Sequence, residues 1–525
     1  EEYPDKINYI RKNLNVSGVT SKTELFYDEL YEGIDLHYYG IEGKFKYDVL
    51  VAPGSDVSEF KMTYEGENEL DLVQGKLVIS NTFNTVTEFI PLAYQVIGEE
   101  RKSVRCEYRL DGSTVSFDFP EGYDESKELV IDPELIFSSY TGSTANNFGF
   151  TATYDDDGAL YGGGIVFDIG YPTITGSYSE SFSGVVDMAI SKFEPNGTFL
   201  EYSTYIGGAS CDAPHSMVVN SQGQLVILGS TSSLNFPTSP TAYDSDFNGG
   251  TSVNYASNGT NFENGSDIVV VVLSADGSSL IGSTYLGGSL NDGLNEDATL
   301  SYNYGDIFRG EVIVDSQDNI YIASSTVSAD FPVSSGAIDQ TLNGTQDACL
   351  AKFNSDVSAL DWCTYVGGSA SDAGYSMKLN SSNEIYLAGG SSSQDLAVDA
   401  GALFGAYQGG STDGFLYRFS NDGNTLINSS YIGTSSYDQT YFVEVDQNDN
   451  VYTYGQSTGN YPVTSGTYSN TNGRQFIQKL SADLTTSIYS TVFGSGSSSV
   501  NISPTAFLVD ICERVFVSGW GGGTN

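Results

Sequence analysis

An all-β chain built largely from tandem four-stranded units is predicted by three features of the 525 residues. First, a hairpin pattern closing on Tyr-x-Gly recurs at Asp187 to Gly208, Asp267 to Gly288, Asp347 to Gly368 and Asp413 to Gly433. The step from its aspartate to its tyrosine is 18 residues each time. Second, 59 glycines and 37 tyrosines accompany alternating apolar stretches, with no long run of helical period. Third, the stretch Ile268 to Leu273 (IVVVVL) is apolar at every position, so both of its faces must be covered.

Taken in order, residues 1–128 read as a compact β domain. Alternating segments such as Lys44 to Val51 and Thr114 to Phe119 are divided by turn residues, including Ala52-Pro-Gly-Ser55 and Asp111-Gly112. The stretch Leu129 to Tyr140 resembles the last strand of a repeat but has no earlier strands before it, so it is expected to pair elsewhere. From there, units begin near 140, 205, 285, 365, 431 and 492, with steps of 61 to 80 residues. Each step holds four short strands. The second strand follows turns such as Asp315 to Asn319 and Asp446 to Asn450, whose Asn and Asp residues tolerate the left-handed conformation of a tight hairpin.

Units of this kind either stack in a line or curl into a ring, and covering both faces favours a β-propeller spanning 129–525. The orphan strand 129–140 would then close the ring by completing the last blade. The sixth unit shows only its first two strands, so seven blades are expected, or six, with the final part incomplete in this chain.

The motifs Tyr-x-Gly-Gly, Asp-x-x-x-Asn-x-Tyr, Asp330-Phe-Pro-Val-Ser-Ser-Gly-Ala337 and Asp347-Ala-Cys-Leu-Ala-Lys-Phe353 together resemble the bacterial seven-bladed propeller repeat. Residues 30–40, 47–54 and 130–133 are similar to the β domain that commonly precedes it. The resemblance implies a large exported or cell-surface protein of gliding bacteria, associated with the outer membrane and secreted by the type IX system. Adhesion is the role it suggests, with secretion or outer-membrane components among its partners.

Composition narrows the chemistry. There are 28 acidic and 13 basic residues up to Glu134, against 39 and 8 thereafter. A nucleic-acid partner needs clustered Lys and Arg, so none is expected, and no run is long and apolar enough to span a membrane. Only His37 and His215 exist, which excludes a histidine-rich metal centre and repeated Ser-His-Asp sites. Catalytic residues are therefore not assigned. The five cysteines are too few for a disulfide scaffold, yet Cys349 and Cys363 lie symmetrically about Asp356 and would face each other in a hairpin, as a disulfide or as packed thiols. For calcium, Asp155 and Asp157 supply hard oxygen ligands in one acidic turn, with Asp315 to Asp318 and Asp446 to Asp449 as further candidates.

Two units are longer than the rest, by inserts placed at Leu234 to Ser266 and Ser289 to Phe308. In a propeller both emerge on one face. They would form a raised patch of Tyr243, Asp244, Asp246, Asn248, Tyr255, Asn261 and Phe262 with Asn291, Asp292, Glu296, Asp297, Tyr302, Tyr304 and Asp306. Aromatic faces beside amides and carboxylates suit a glycan or a protein partner. The expected function is therefore a non-enzymatic surface module for binding or adhesion. The rivals are a carbohydrate-active enzyme using carboxylates in the propeller mouth, and a spacer for further domains.

Overall fold

The computed structural model describes residues 2–521 apart from 12–13, 23, 42–43, 64–68, 74–75, 81–84, 89–90, 98–99, 133–142, 195–198, 256–258, 471, 495–499, 501 and 511–512. The chain divides into two compact units. One comprises 1–140 with 156–159 and 193–199; the other comprises 141–155, 160–192 and 200–525.

The first unit contains a six-stranded antiparallel sheet in which Leu129–Asp132 lies between Leu92–Ile97 and Lys44–Val51. Its register sets Ala93 opposite Ile131 and Val130 opposite Leu50. Leu129 and Ile131 are fully buried in a core with Ile34, Val49, Val115 and Phe117. This corrects the expected role of the strand at 129–140. Its first four residues belong to this unit's own sheet, because Leu129 and Ile131 fill that core; residues 133–140 lie outside the described residues.

The second unit is a series of antiparallel sheets, each a simple meander. Sheet I comprises Asn147–Tyr154, Leu160–Val166, Asp187–Phe193 and Leu200–Ile206. Sheet II comprises Asp212–Val219, Leu225–Thr231, Asp267–Leu273 and Leu280–Leu286. Sheet III is Glu311–Val314, Ile320–Thr326, Asp347–Phe353 and Leu360–Val366, and sheet IV is Asp372–Leu379, Ile385–Ser391, Asp413–Phe419 and Leu426–Ile432. Sheet V is Asp438–Val445, Val451–Ser457, Gln475–Leu480 and Ser487–Phe493; sheet VI has the two described strands Ile502–Val509 and Val515–Gly521.

Successive sheets pack face to face, which is why strands such as Asp267–Leu273 are buried at every residue. Val226, Val270 and Val272 of sheet II meet Ile320, Cys349 and Cys363 of sheet III. Leu350 and Tyr321 of sheet III meet Leu387 and Phe415 of sheet IV. Ala388 and Leu416 of sheet IV then meet Val451 and Phe476 of sheet V. The first strands of neighbouring sheets touch in chain order, from Asn147–Tyr154 through to Ile502–Val509. No strand pairing joins sheet VI back to sheet I among the described residues.

The hairpin register separates the two cysteines that sequence symmetry placed opposite each other. Cys349 faces Tyr365, and Cys363 faces Ala351, because the turn centres between Asp356 and Val357 and a bulge between Lys352 and Phe353 shifts the ladder by one residue more. Both are buried free thiols. Burial raises both pKa values, so neither is a reactive thiolate. A thiol reagent applied to the native chain is expected to leave both unmodified and to label both after denaturation without reductant. Recovery of a crosslinked Cys349–Cys363 peptide would contradict this register.

Candidate functional site

The recurring Tyr-x-Gly motif has a structural purpose that comes before any binding role. At the four junctions from sheet I to sheet V, the aspartate that opens the third strand approaches an aspartate five residues after the Tyr-x-Gly glycine, which opens the next sheet's first strand at all but Asp292. The pairs are Asp187 with Asp212, Asp267 with Asp292, Asp347 with Asp372, and Asp413 with Asp438, all with no exposed surface. The glycine after Tyr-x lies between them. A Cβ on Gly207, Gly287, Gly367 or Gly433 would come within 3.3 Å of an oxygen of each carboxylate.

One member of each pair holds the preceding loop, as Asp187 accepts from the Ser183 amide at 2.6 Å and Asp347 from the Asn343 amide at 3.0 Å. The other holds the glycine turn. Asp372, for example, accepts from the Gly368 amide at 2.7 Å and the Ser393 hydroxyl at 2.8 Å. Desolvation pushes Asp187, Asp372 and Asp438 up to about 6, and Asp212, Asp267, Asp347 and Asp413 up to about 7. Gly367→Ala is expected to destabilise the chain by about 1–3 kcal/mol in denaturant titration, because its Cβ has no room. Gly149→Ala, where an added Cβ meets nothing within 4 Å, is the control.

These contacts redefine the first insert. Asn248 accepts its place from the repeat, since its amide donates to Asp267 at 2.7 Å as that of Asn343 does to Asp347. Its carboxamide donates to Asp244 at 3.1 Å, as that of Asn343 does to Asp339. Residues 234–248 are thus the ordinary connection of the unit, and the added segment follows Asn248. Asp244 caps its own turn through the Asp246 amide, and the Tyr243 ring packs edge-on to Phe353 at 6.0 Å. Asp244, Asp246 and Asn248 therefore serve the connection within sheet II, and Tyr243 packs it against sheet III.

The added segment forms a short hairpin, Val253–Tyr255 with Thr260–Phe262. Asn261 faces Asn254 across it and is half-buried, whereas Phe262 is fully buried among Ile165, Val186, Ala213 and Phe308. Tyr255 packs edge-on to Phe308 at 6.3 Å. Asn291 joins the two inserts, donating to the Thr251 carbonyl at 3.0 Å and to the Glu296 carboxylate. Asp292 is the buried partner of Asp267 and, like the other paired aspartates, latches the junction of two sheets. Asp297 caps a turn through the Thr299 amide at 2.8 Å.

The second insert passes over the first strands of the sheets and binds them together. Phe308 meets Phe150 of sheet I at 5.2 Å and His215 of sheet II at 5.7 Å between ring centroids. The Leu300 carbonyl accepts from Tyr375 of sheet IV at 3.0 Å and from Gln439 of sheet V at 3.1 Å. Asp306, with no exposed surface, accepts from Arg309 Nε at 2.7 Å and from the Tyr441 hydroxyl at 3.0 Å. Arg309 lies 4.3 Å from the Tyr441 ring centroid and donates to the Pro504 carbonyl of sheet VI at 2.8 Å. Neighbouring residues 308 and 309 thus touch both sheet I and sheet VI.

Of the fourteen residues assigned to one binding face, the exposed aromatic members are Tyr302, Tyr304 and Tyr243, at 50%, 44% and 38% accessible, and of these Tyr302 and Tyr304 belong to the second insert. Tyr302 stacks on Tyr437 at 4.5 Å, and Tyr304 lies 6.5 Å from Trp520, itself 66% accessible. The sequence reading missed Trp520, Tyr437, Tyr441 and Arg309. The available signal was Arg309, one of only four arginines after residue 134 and placed next to an insert.

Asp155 accepts from the Tyr161 hydroxyl at 2.9 Å and pairs with Lys192 at 3.4 Å. The turns at Asp315 and Asp446 are filled alike, by Lys352 at 3.9 Å and Lys479 at 2.8 Å. An ammonium therefore lies against each of these carboxylates. Asp157 is exposed and falls with the first unit. Among the described residues no three His, Cys, Asp or Glu side chains gather as a metal site. His215 is buried without a hydrogen-bond partner on either ring nitrogen, and desolvation pushes it down to about 3. A neutral imidazole unbonded to any thiol is not poised to activate the buried Cys211.

Residues 1–134 match the family DUF7948, a domain of unknown function. No curated protein matches the chain. Among solved structures it is similar to a protein of unknown function from Dyadobacter fermentans, at 12% identity and a TM-score of 0.32, covering 85% of this chain and 90% of that one. It is also similar to Hsv2 of Kluyveromyces lactis, at 7% identity and a TM-score of 0.32, with 71% of each chain covered. A europium-containing methanol dehydrogenase aligns at 10% identity and a TM-score of 0.30, over 70% of this chain and 75% of that one. Likenesses this distant carry no argument about function.

Proposed function

We propose that the second unit is a β-propeller serving as a non-enzymatic binding module of an exported cell-surface protein, secreted by the type IX route and acting in adhesion. The supporting observation is the arrangement of the second insert. Its polar and aromatic core is fixed to the first strands of five sheets, while Tyr302 and Tyr304, with Trp520 beside them, present their rings to solvent. Rings held by a rigid support lose little entropy on meeting a partner. Asp292 and Asp306, two carboxylates of the expected face, are buried and hydrogen-bonded within the fold.

The test compares the full chain with the variant Tyr302→Ser, Tyr304→Ser, Trp520→Ser on a glycan array and on outer-membrane vesicles, with calcium and with chelator. The variant is expected to bind at least about tenfold more weakly, the effect of losing aromatic anchors, with an unchanged melting temperature. Equal binding by the two proteins, or turnover of a bound glycan, would overturn the reading.

A further inference from the structure

The junction between sheets IV and V departs from the other three in a way that opens a cavity. At the others, the residue after the second glycine of the turn is held by a side chain from the loop that follows the second strand. Ala209, Ser289 and Ser369 donate their amides to Asn235, Asp330 and Asp395, each at 2.9 Å. A serine two residues earlier in that loop, Ser233, Ser328 or Ser393, donates its hydroxyl to the latch aspartate.

At the fourth junction the loop is one residue shorter. Gly459-Asn460-Tyr461-Pro462 stands where sheet II has Ser233-Leu234-Asn235-Phe236-Pro237. The lost serine hydroxyl is replaced from the opposite side, because Thr434 occupies the position of Gly208, Gly288 and Gly368 and donates to Asp438 at 2.8 Å. Gly459 is then required, since a Cβ there would lie 2.0 Å from the Thr434 hydroxyl. Three changes thus keep the carboxylate latch closed while withdrawing the loop from the turn. The space left is an open depression of about 420 Å³, lined also by Phe404 and Gln408 from the connection within sheet IV.

The lining is chemically uniform. It contains no charged side chain. The hydroxyls of Ser435 and Ser436 and the carboxamide of Asn460 have no hydrogen-bond partner within the described protein, and Phe404 and Pro462 supply apolar faces. Free donors and acceptors of both signs beside an aromatic ring match the alternating C–H and O–H surfaces of a sugar, and the volume falls within the range of about 300–1,000 Å³ usual for ligand sites. The Arg474 guanidinium reaches the lining only through its bonds to the Thr458 and Gly459 carbonyls, at 2.6 and 3.3 Å, while the buried Asp413 and Asp438 lie close by on a chain of net charge −46, which disfavours an anion.

We propose that this cavity is a subsite for one or two uncharged sugar rings of a glycan. None of Tyr302, Tyr304 and Trp520 lines it, and the assignment does not depend on that aromatic face having a partner.

The experiment titrates the full chain with a panel of neutral disaccharides, and with uronate-containing disaccharides as the charged control, following binding by ligand-observed NMR. At least one neutral disaccharide is expected to bind saturably with Kd below about 10 mM, a weak but measurable affinity, and more tightly than any uronate. Ser435→Trp, which fills an exposed edge of the cavity, should abolish this binding. Asn460→Ala should weaken it about tenfold, the value of one well-placed polar contact. Both should melt at the wild-type temperature, and the variant lacking the three exposed rings should bind the disaccharide normally. Absence of saturable binding by every neutral disaccharide, or retention of affinity in both Ser435→Trp and Asn460→Ala, would overturn the assignment. Loss of binding only in the triple aromatic variant would also overturn it, and would place the sugar on the other face.

Discussion

Replacing Arg309 by leucine is expected to lower the stability of the second unit by about 3–5 kcal/mol, the cost of leaving a buried carboxylate without its partner. Asp306 has no exposed surface, and Arg309 is its only cationic contact among the described residues. The loss should spread further than one ion pair, because the guanidinium also covers the Tyr441 ring and reaches the Pro504 carbonyl of sheet VI. Chemical denaturation followed by tyrosine fluorescence would measure it. The double variant Arg309→Leu, Asp306→Leu should recover part of the loss, since it removes the stranded charge together with its partner. A single variant as stable as the wild type would mean that the insert does not fasten the first strands.

The second large effect is on pH. The latch aspartates have an ordinary value of 3.8, and in the folded chain seven of them are pushed up to about 6 or 7 by desolvation. A carboxyl whose pKa is higher folded than unfolded binds more protons in the folded state. Its contribution is therefore complete below about pH 4 and is lost as the pH rises through 6 and 7. Each unit of difference is about 1.4 kcal/mol per group, so even a fraction of it shared among these residues moves the whole unit. The melting temperature is expected to be higher at pH 5 than at pH 8 by about 5 °C or more. Relief of the overall negative charge acts in the same direction, and a variant separates the two causes. Asp347→Asn with Asp372→Asn should flatten the pH dependence, while the exposed Asp157→Asn should leave it unchanged. A melting temperature that rises between pH 5 and pH 8 would show that the latch carboxylates are not the titrating groups that matter.

Much of this architecture was legible because it is local and repeated. A fixed interval from aspartate to tyrosine, strands without a polar face and turns of Asn and Asp are properties of short segments, and they led correctly to four-stranded sheets covered on both sides. The register error at Cys349 and Cys363 shows where locality fails. The two cysteines are symmetric about Asp356, but the turn centres between Asp356 and Val357 and a bulge between Lys352 and Phe353 moves every pair beyond it by one residue more. The first insert was set too early because Asn235-Phe-Pro237 belongs to the ordinary connection, and only the bond from Asn248 to Asp267 reveals where the repeat resumes.

The candidate site was legible as a region and not as a set of residues. Type and loop position alone could not distinguish Tyr302, which faces solvent, from Phe262, which fills the core, or Asp246 from the sealed Asp306. The sequence by itself determined the strands, their grouping and the scarcity of basic and imidazole groups that limits the chemistry, because each of these follows from composition or from spacing within a few tens of residues. Tertiary structure alone decided which strand Leu129–Asp132 joins, what Arg309 holds together and where a shortened loop leaves room for a ligand. Those outcomes depend on which segments distant in the chain compete for the same buried space, and that competition is settled only when the sheets pack.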